Sequence, residues 1–386
     1  MDIDRIDKRI RSFYDSPTDI IPLHAPAFFG NESKYVQDTI QSTYVSSVGK
    51  YVSQIEQHAG ERLKVNNAVA VVNGTAALHV ALRVVGVLPD TEVITQALTF
   101  VATTNAIAMN GAKPVFVDVD KDTMGLSPEA LERFLDENAE LNDGGNVINR
   151  ITKKQIAAVL PMHTFGFVCD VKRIRQVCIK WNLPLVEDAA EALGSYTEGI
   201  AAGSIGTVGT FSFNGNKIIT SGGGGLVVTN DDLIGTKVKH LTTTAKLYHQ
   251  YEYFHDEVAY NYRMPNLNAA LLLGQFENLD RILIAKKKLY NLYADFASDL
   301  GLNIVDIPHT TSQWNYWLIS AKFTSRKERN EFLAVTNEKG IMTRPIWQLM
   351  YRLPMYSQCQ RDSQENAEYL EDRIVNIPSS APKAFL

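Results

Sequence analysis

Short β-rich apolar runs alternate with helical patterns between residues 67 and 229, and this alternation constrains the fold more than any other feature of the sequence. NAVAVV (67–72) and EVIT (92–95) are the first two runs, and a stretch with helical periodicity follows each of them. Apolar strands separated by helices are typical of a largely parallel sheet covered on both faces. Ligands bind at the carboxyl ends of the strands in such sheets. We therefore predict an α/β fold with a mostly parallel central sheet and a site at that edge.

Two other parts of the chain interrupt or follow the alternation. The polar, turn-rich segment 136–155 predicts a surface hairpin or loop. From residue 265 one long helical pattern runs to Gly301, which supplies a stop signal, and strand-like pieces with a further helix follow. We predict a large domain over residues 1–264, with 1–30 as a candidate segment to pack on the second domain, and a small α+β domain over 265–386.

Composition excludes several classes of protein. The formal charge of −5 gives no basic face for nucleic acid or an anionic membrane. The three cysteines (Cys169, Cys178, Cys359) are too few and too irregularly spaced for a disulfide framework or a zinc site. The first residues lack the apolar core of a signal peptide, and no apolar run reaches the ~20 residues of a membrane span. We expect a cytoplasmic protein that binds neither nucleic acid nor membrane, and no metal.

Two polar residues follow predicted strands where the sheet's ligand edge is expected. Gly74 permits a tight turn after the first strand, and Thr75 opens a helix whose free N–H groups could hold a phosphate. Thr75 could instead only cap that helix. Asp188 ends the run LPLVED, where a carboxylate could hold the protonated nitrogen of a heterocycle. Its alternative is also a helix cap.

His163 and Phe100 emerge at two further strand ends. A histidine at such a position is often packed or hydrogen-bonded without a functional role, and a phenylalanine usually belongs to the core. Beside a bound aromatic ring, Phe100 could instead supply a stacking face. Both interpretations stay open for each residue.

Lys217 lies between a short apolar run and four consecutive glycines, Gly222 to Gly225. A lysine that forms a Schiff base needs partial burial or a cationic neighbour, and small neighbours if a ring is to lie against it. Asn214, Gly215 and Asn216 meet the second requirement. An ordinary solvated lysine is the alternative. The sequence contains neither GxxxxGK[ST] nor a strand-following GxGxxG, which argues against a kinase or a dehydrogenase.

The ordered set of motifs resembles the DegT/DnrJ/EryC1/StrS family of pyridoxal-phosphate sugar aminotransferases over nearly the whole chain. Within that family the motif sequences are similar to those of the LegC-like branch. That branch is associated with 4-amination of UDP-4-keto-6-deoxy-N-acetylglucosamine for legionaminic acid or bacillosamine-type surface glycans. The motifs that carry the resemblance are NGTAALHVAL, LTFVATTNAI, PMHTFGFVCDV, VEDAAEALGS, SFNGNKIITSGGGG and YNYRMPNLNAAL.

The resemblance implies the aspartate aminotransferase-like fold called fold type I, with pyridoxal 5′-phosphate as cofactor. Lys217 matches the Schiff-base lysine, and Asp188 matches the partner of the pyridine nitrogen. Phe100 would stack on the ring, while Thr75 and the N–H of Ala76 would hold the phosphate.

Four further positions carry over from the family motifs. Ser212 matches another phosphate contact, and Asn261 matches an asparagine that reaches the phosphate of the neighbouring subunit in a homodimer with shared active sites. Glu191 stands where the family usually has glutamine, and the LegC-like branch also has glutamate at this position. His163 matches a position near the cofactor.

The implied reaction transfers an amino group from glutamate to the C4 ketone of a nucleotide sugar. Substrate-side candidates are Tyr316 in the segment NYWL, Arg344 in TRPIW and His249 in the aromatic loop 239–264. Three alternatives remain: a GDP-4-keto-6-deoxymannose 4-aminotransferase, a sugar 3-dehydratase and a non-enzymatic regulator of the same fold. The dehydratases have histidine in place of the reactive lysine, so Lys217 argues against them.

Overall fold

The structure is a computed structural model that describes residues 2–16 and 18–386. Within these ranges the α-helices are α1 (Ile3–Phe13), α2 (Glu32–Gln41), α3 (Lys50–Leu63), α4 (Gly74–Val84), α5 (Val101–Met109), α6 (Pro128–Asn138), α7 (Val171–Lys180), α8 (Asp232–Thr242), α9 (Asn266–Glu277), α10 (Leu279–Leu300), α11 (Arg326–Glu338) and α12 (Glu365–Glu371). The strands are β1 (Asn67–Val71), β2 (Glu92–Gln96), β3 (Lys113–Val117), β4 (Ala139–Leu141), β5 (Val147–Asn149), β6 (Gln155–Leu160), β7 (Val186–Asp188), β8 (Tyr196–Thr197), β9 (Ile200–Ala201), β10 (Val208–Ser212), β11 (Gly225–Thr229), β12 (Lys246–Leu247), β13 (Phe254–His255), β14 (Ser320–Lys322), β15 (Arg344–Pro345) and β16 (Ile374–Asn376).

The central sheet is mostly parallel, which confirms the prediction from the apolar runs. One part has the order β3-β2-β6 and the other β7-β10-β11-β1, and parallel bridges from Val159 to Leu185 and from Met162 to Asp188 join them. Strand β11 runs antiparallel to β1 and β10, and the hairpin β4–β5 extends the sheet beyond β6 with β5 antiparallel to β6. The carboxyl ends of β1, β7 and β10 therefore meet at one edge.

The apolar character of the strands explains their central place. The residues of β2 and β11 are all buried, because helices cover both faces of the sheet. The α4 helix packs across β10 and β11 with a face of small apolar residues, which lets its backbone approach the sheet closely. This close approach brings the first turn of α4 to the sheet edge.

The predicted features around the sheet are partly confirmed. Segment 136–155 contains the antiparallel hairpin β4–β5, and Gly301 ends α10 in the left-handed conformation (φ 67°), as expected. The single long helix predicted from residue 265 is wrong. The chain breaks at Asn278, which leaves the helical region (ψ 2°) and donates from its side-chain amide to the Gly274 carbonyl. An asparagine inside an apolar periodicity is a weak break signal that pattern counting overlooks.

Helix α1 and Ile21 contact C-terminal elements of the chain. Ile6 and Ile10 of α1 are fully buried where α1 meets α10 and α11, and Ile21 forms a parallel bridge with Ile341. Beyond this bridge the chain carries Leu23 to the sheet edge described below. The boundary between residues 264 and 265 stays a prediction. None of the described helices combines the length and the apolar composition that crossing a bilayer would require.

We predict that Ile10→Ala lowers the free energy of unfolding by about 2–4 kcal/mol, because it leaves a cavity where α1 packs on the C-terminal helices. Urea unfolding followed by circular dichroism measures the change. Ile20→Ala is the matched control, since the Ile20 side chain is 72% exposed and should change stability by less than ~0.5 kcal/mol. Equal effects of the two substitutions would contradict the packing of α1.

Candidate active site

A cavity of about 630 Å³ opens at the carboxyl ends of β1, β7 and β10. Parallel strands bring residues that are distant in sequence to this edge. The residues that line it are Leu23, Asn73, Gly74, Thr75, Leu78, Phe100, Ala102, Met162, Asp188, Ala190, Glu191, Ser212, Asn214, Asn216, Lys217, Trp317, Leu318, Arg344, Pro345, Ile346, Trp347, Gln348 and Asn376. Most of the residues predicted from sequence are among them.

Lys217 lies at the floor of the cavity and is 9% exposed. Its Nζ is 3.2 Å from Glu191 Oε1 and 4.3 Å from the centre of the Trp317 ring. The Trp317 indole N–H donates to the Asn216 carbonyl at 2.7 Å, so the ring is tied to the loop that carries the lysine. The amine is thus largely buried and faces a carboxylate and an aromatic surface, as a Schiff-base lysine requires.

Asp188 is a second buried carboxylate at this floor. Its Oδ2 accepts a hydrogen bond from the Thr103 hydroxyl at 2.7 Å, and its Oδ1 accepts from the Ala190 N–H at 3.1 Å. Burial raises its pKa, while the bonds from Thr103 and Ala190 partly oppose that rise. A cationic ring nitrogen placed against Asp188 would lower its pKa again, so the carboxylate is suited to hold such a group.

Glu191 is held in place from two sides. Its Oε2 accepts from the Phe165 N–H at 2.9 Å, and its backbone carbonyl accepts from the Asn315 amide at 2.7 Å. Phe165 (φ 55°) and Gly166 (φ 88°) have left-handed backbone, and a Cβ on Gly166 would lie 2.1 Å from Asn315 Oδ1. Burial raises the pKa of Glu191 to about 7 against the opposing effect of Lys217. This carboxyl therefore changes charge near neutral pH.

The first turn of α4 opens into the cavity. Asn73 caps the helix, because its side-chain oxygen accepts from the Ala76 N–H at 2.8 Å, so the alternative that Thr75 is the cap is wrong. The Ala76 amide, expected to hold a phosphate, is engaged by this cap. Gly74, Thr75 and Ser212 line the cavity, and a Cβ on Gly74 would lie only 2.7 Å from the Ser212 Cβ. The glycine leaves room for an anion beside the helix N-terminus.

Two more predicted residues line the cavity at its opening. Phe100 precedes α5 and is 48% exposed, with its ring centre 6.4 Å from that of Trp347. Arg344 lies in β15 and is exposed at the rim. A half-exposed phenylalanine beside a cavity is not a core residue, so the alternative that Phe100 belongs to the core is wrong.

His163 and Tyr316 do not line the cavity of this chain. The His163 ring is fully buried behind Asp188, with Nε2 at 2.9 Å from Glu187 and Nδ1 at 3.5 Å from the Cys169 sulfur. Burial disfavours its charge, but Cys169 and Glu187 outweigh burial and raise its pKa to about 10. The Tyr316 ring packs 4.7 Å from the Trp314 ring in a buried aromatic cluster.

His249 and Asn261 also lie outside this cavity. His249 is in the exposed turn between β12 and β13, where its Nδ1 accepts from the Glu252 N–H at 2.9 Å. Asn261 pairs its backbone with Thr243 and is exposed. Their expected roles across a subunit interface stay predictions.

Several residues of the site were not predicted from the sequence. Thr103, which donates to Asp188, stands in a run of three polar residues in α5, and nothing local separates it from Thr104 and Asn105. Trp317 lies in the segment NYWL, next to the predicted residue Tyr316, and lines the cavity in its place. Leu23 and Asn376 come from opposite ends of the chain, and no local pattern marks them.

The cavity fits pyridoxal phosphate. It contains an amine, a buried carboxylate and an aromatic face, and it offers a helix N-terminus cleared of side chain by Gly74. These groups correspond to the aldehyde, the ring nitrogen, the ring face and the phosphate of the cofactor. Lys217, Asp188, Phe100 and the Gly74–Thr75–Ser212 group could therefore hold it.

The chain resembles known aminotransferases in sequence and in fold. The sequence model of the DegT/DnrJ/EryC1/StrS aminotransferase family matches residues 29–382. The GDP-perosamine synthase of Vibrio cholerae is 36% identical, with 93% of this chain and 94% of that protein covered. The protein of the same name from Caulobacter vibrioides is 34% identical, with 94% and 93% covered. The crystal structure of the aminotransferase TlmJ from Streptoalloteichus hindustanus has the same fold (TM-score 0.83, 23% identity, 93% of each chain).

We predict that Gly74→Ala weakens pyridoxal phosphate binding at least ~10-fold, because the new methyl group would collide with Ser212 and fill the space beside the helix N-terminus. Absorbance titration of the cofactor-free protein measures the affinity. Gly215→Ala is the matched control in the loop before Lys217, since nothing lies within 4 Å of its added Cβ. Unchanged affinity in Gly74→Ala would remove α4 from the phosphate site.

We predict that Glu191→Gln lowers the pH at which the visible absorption of the Lys217-bound cofactor titrates by about one unit. The carboxylate 3.2 Å from Nζ favours the protonated nitrogen, so its removal lets the proton leave at lower pH. A spectrophotometric pH titration of the holoenzyme tests this without any substrate. Glu198→Gln removes an exposed surface carboxylate and should cause no shift. A midpoint that stays in place or rises in Glu191→Gln contradicts the charge pairing.

Proposed function

The chain belongs to the DegT/DnrJ/EryC1/StrS aminotransferase family, and we propose that it aminates C4 of a GDP-linked 4-keto-6-deoxy sugar. That it is a pyridoxal-phosphate-dependent sugar aminotransferase follows from the family and its relatives. The observation that carries the transamination is that Lys217 and Asp188 line one cavity. The choice of sugar nucleotide rests on the relatives.

Lys217, Asp188 and Thr103 have different roles in the proposed reaction. Pyridoxal phosphate, when bound, supplies the electron sink that makes the carbon next to the amino nitrogen acidic. Lys217 anchors the cofactor, and its amine then carries the proton to and from the reacting carbon. Asp188 keeps a ring nitrogen protonated, because a buried carboxylate stabilises an adjacent cation. Thr103 fixes the orientation of that carboxylate.

Other residues orient the cofactor and exclude water. We assign Gly74, Thr75 and Ser212 to the phosphate, since they line the cavity at the N-terminus of α4. Phe100 covers one face of the ring as an aromatic side chain at the opening. This assignment is supported by the shared cavity.

The relatives decide which sugar nucleotide we propose. The wording of the motifs favours UDP-4-keto-6-deoxy-N-acetylglucosamine, whereas GDP-perosamine synthases match at 34–36% identity over more than nine-tenths of the chain. Similarity over the full length includes the substrate-side segments, so it outweighs a few short motifs. We therefore place GDP-4-keto-6-deoxymannose first and the UDP sugar second.

We also propose that the working form is a homodimer. The hairpin of β12 and β13 exposes Tyr248 (97%), Tyr251 (78%) and Tyr253 (81%). Clustered exposed aromatic residues are typical of protein interfaces. A dimer formed through this hairpin would give His249 and Asn261 access to the neighbouring cavity, in agreement with the role expected for them from the family.

We expect the cofactor-loaded protein to convert glutamate to 2-oxoglutarate with GDP-4-keto-6-deoxymannose at least ~10-fold more efficiently (kcat/KM) than with the UDP-N-acetyl sugar. That ratio corresponds to about 1.4 kcal/mol of differential binding in the transition state. Coupled detection of 2-oxoglutarate and mass spectrometry of the sugar product measure it.

Lys217→Ala is the control for that assay, and it should abolish turnover and the visible absorption together. Preference for the UDP sugar would reverse the assignment of the nucleotide. Amination of neither sugar by a protein with the normal cofactor spectrum would defeat the substrate proposal.

A further inference from the structure

Two carboxyl groups and one lysine line the buried end of the cavity. Asp188 and Glu191 are both 2% exposed, and Lys217 is the cation between them. Among the residues that line the cavity in the described part of the chain, Arg344 is the one other cation. Lys217 holds the cofactor in the holoenzyme, so Arg344 is the lining cation that remains to pair with a carboxylate of an anionic amino donor.

Arg344 is held so that part of its guanidinium stays available. Its Nη1 donates to Asn337 Oδ1 and to the Thr343 carbonyl, both at 2.9 Å. The Asn337 amide in turn donates to the Thr343 hydroxyl at 2.9 Å, which fixes the anchor. Nε and Nη2 of Arg344 make no hydrogen bond to any residue the structure describes. The two free donors lie along one edge of the planar group, in the arrangement that matches a carboxylate.

We propose that Arg344 binds the side-chain carboxylate of the amino donor and makes the enzyme select a dicarboxylic amino acid. This inference rests on the proposed transamination. The amino end of the donor must reach buried Lys217, whereas Arg344 is exposed at the rim. The carboxylate farther from the reacting nitrogen is therefore the one that meets the guanidinium. Because both substrates of a double displacement use one cavity, the arginine is accessible to each in turn.

Arg344 lies on a strand that is paired with a second strand of the same chain. Its strand β15 pairs with β16, where Arg344 is opposite Asn376, and Asn376 also lines the cavity. The donor-binding position is thus built on a sheet rather than on a free loop, which favours selection by distance as well as by charge.

The first half-reaction tests this without any sugar. Holoenzyme is mixed with glutamate or alanine, and loss of the visible absorption of the Lys217-bound cofactor is followed by stopped flow. In Arg344→Gln, we expect the half-saturating glutamate concentration to rise at least ~10-fold, whereas the value for alanine changes less than ~2-fold. Arg344→Lys should fall between the two, because it keeps the charge and loses the planar fork.

Binding of glutarate, a dicarboxylate that cannot react, gives a readout independent of chemistry. Calorimetry should show weaker glutarate binding to Arg344→Gln by a similar factor. Arg173→Gln is the control, since it removes the same group from a surface pair with Glu129.

Equal losses for glutamate and alanine, or unchanged glutarate binding, would overturn the role of Arg344. A wild-type enzyme that prefers a monocarboxylic donor would overturn it as well. Failure of the sugar assay alone would leave the donor result intact, so the two proposals fail separately.

Discussion

The buried group of Lys217, Asp188 and Glu191 is the interaction on which the rest of the site depends. Isolated charges are costly away from water, so each must be matched by a partner. Lys217 pairs with Glu191 at 3.2 Å, and Asp188 accepts from Thr103 and Ala190. The protein keeps two carboxyl groups beside one amine because a bound cationic ring can complete the balance. The charges of these three side chains therefore suit the site to bind a cationic ring beside a reactive amine.

Neighbouring elements keep this arrangement rigid. The left-handed turn at Phe165 and Gly166 aims one N–H at Glu191, and Asn315 fixes the backbone of the same residue. The His163–Glu187 pair is buried directly behind Asp188, where Glu187 also accepts from the N–H groups of Gly203 and Ile205. Side chains that exchange protons must be held at fixed distances by such hydrogen bonds, because small displacements of reacting groups weaken catalysis strongly.

Much of the fold and of the cavity floor was predictable from sequence. Apolar runs and their helical spacers predicted the parallel sheet, and residues at the strand ends predicted its edge. Family motifs predicted Lys217 and Asp188 by name. Where the prediction failed, the signal was local and weak. The break at Asn278 and the cap at Asn73 depend on single side-chain hydrogen bonds that compete with backbone geometry. Thr103 gained its role only from its distance to Asp188.

The sequence by itself determined the parallel sheet and the polar residues at the ends of its strands. Both depend on periodicity and residue type within a few neighbouring positions. Only the tertiary structure decided which distant residues share the cavity. Leu23, Trp317, Arg344 and Asn376 come from segments far from the sheet edge, and their approach depends on how the N-terminal helix and the C-terminal strands pack. The tertiary structure also placed the His163 ring outside the cavity, buried against Glu187 and Cys169, since burial and hydrogen-bond partners are properties of the folded chain.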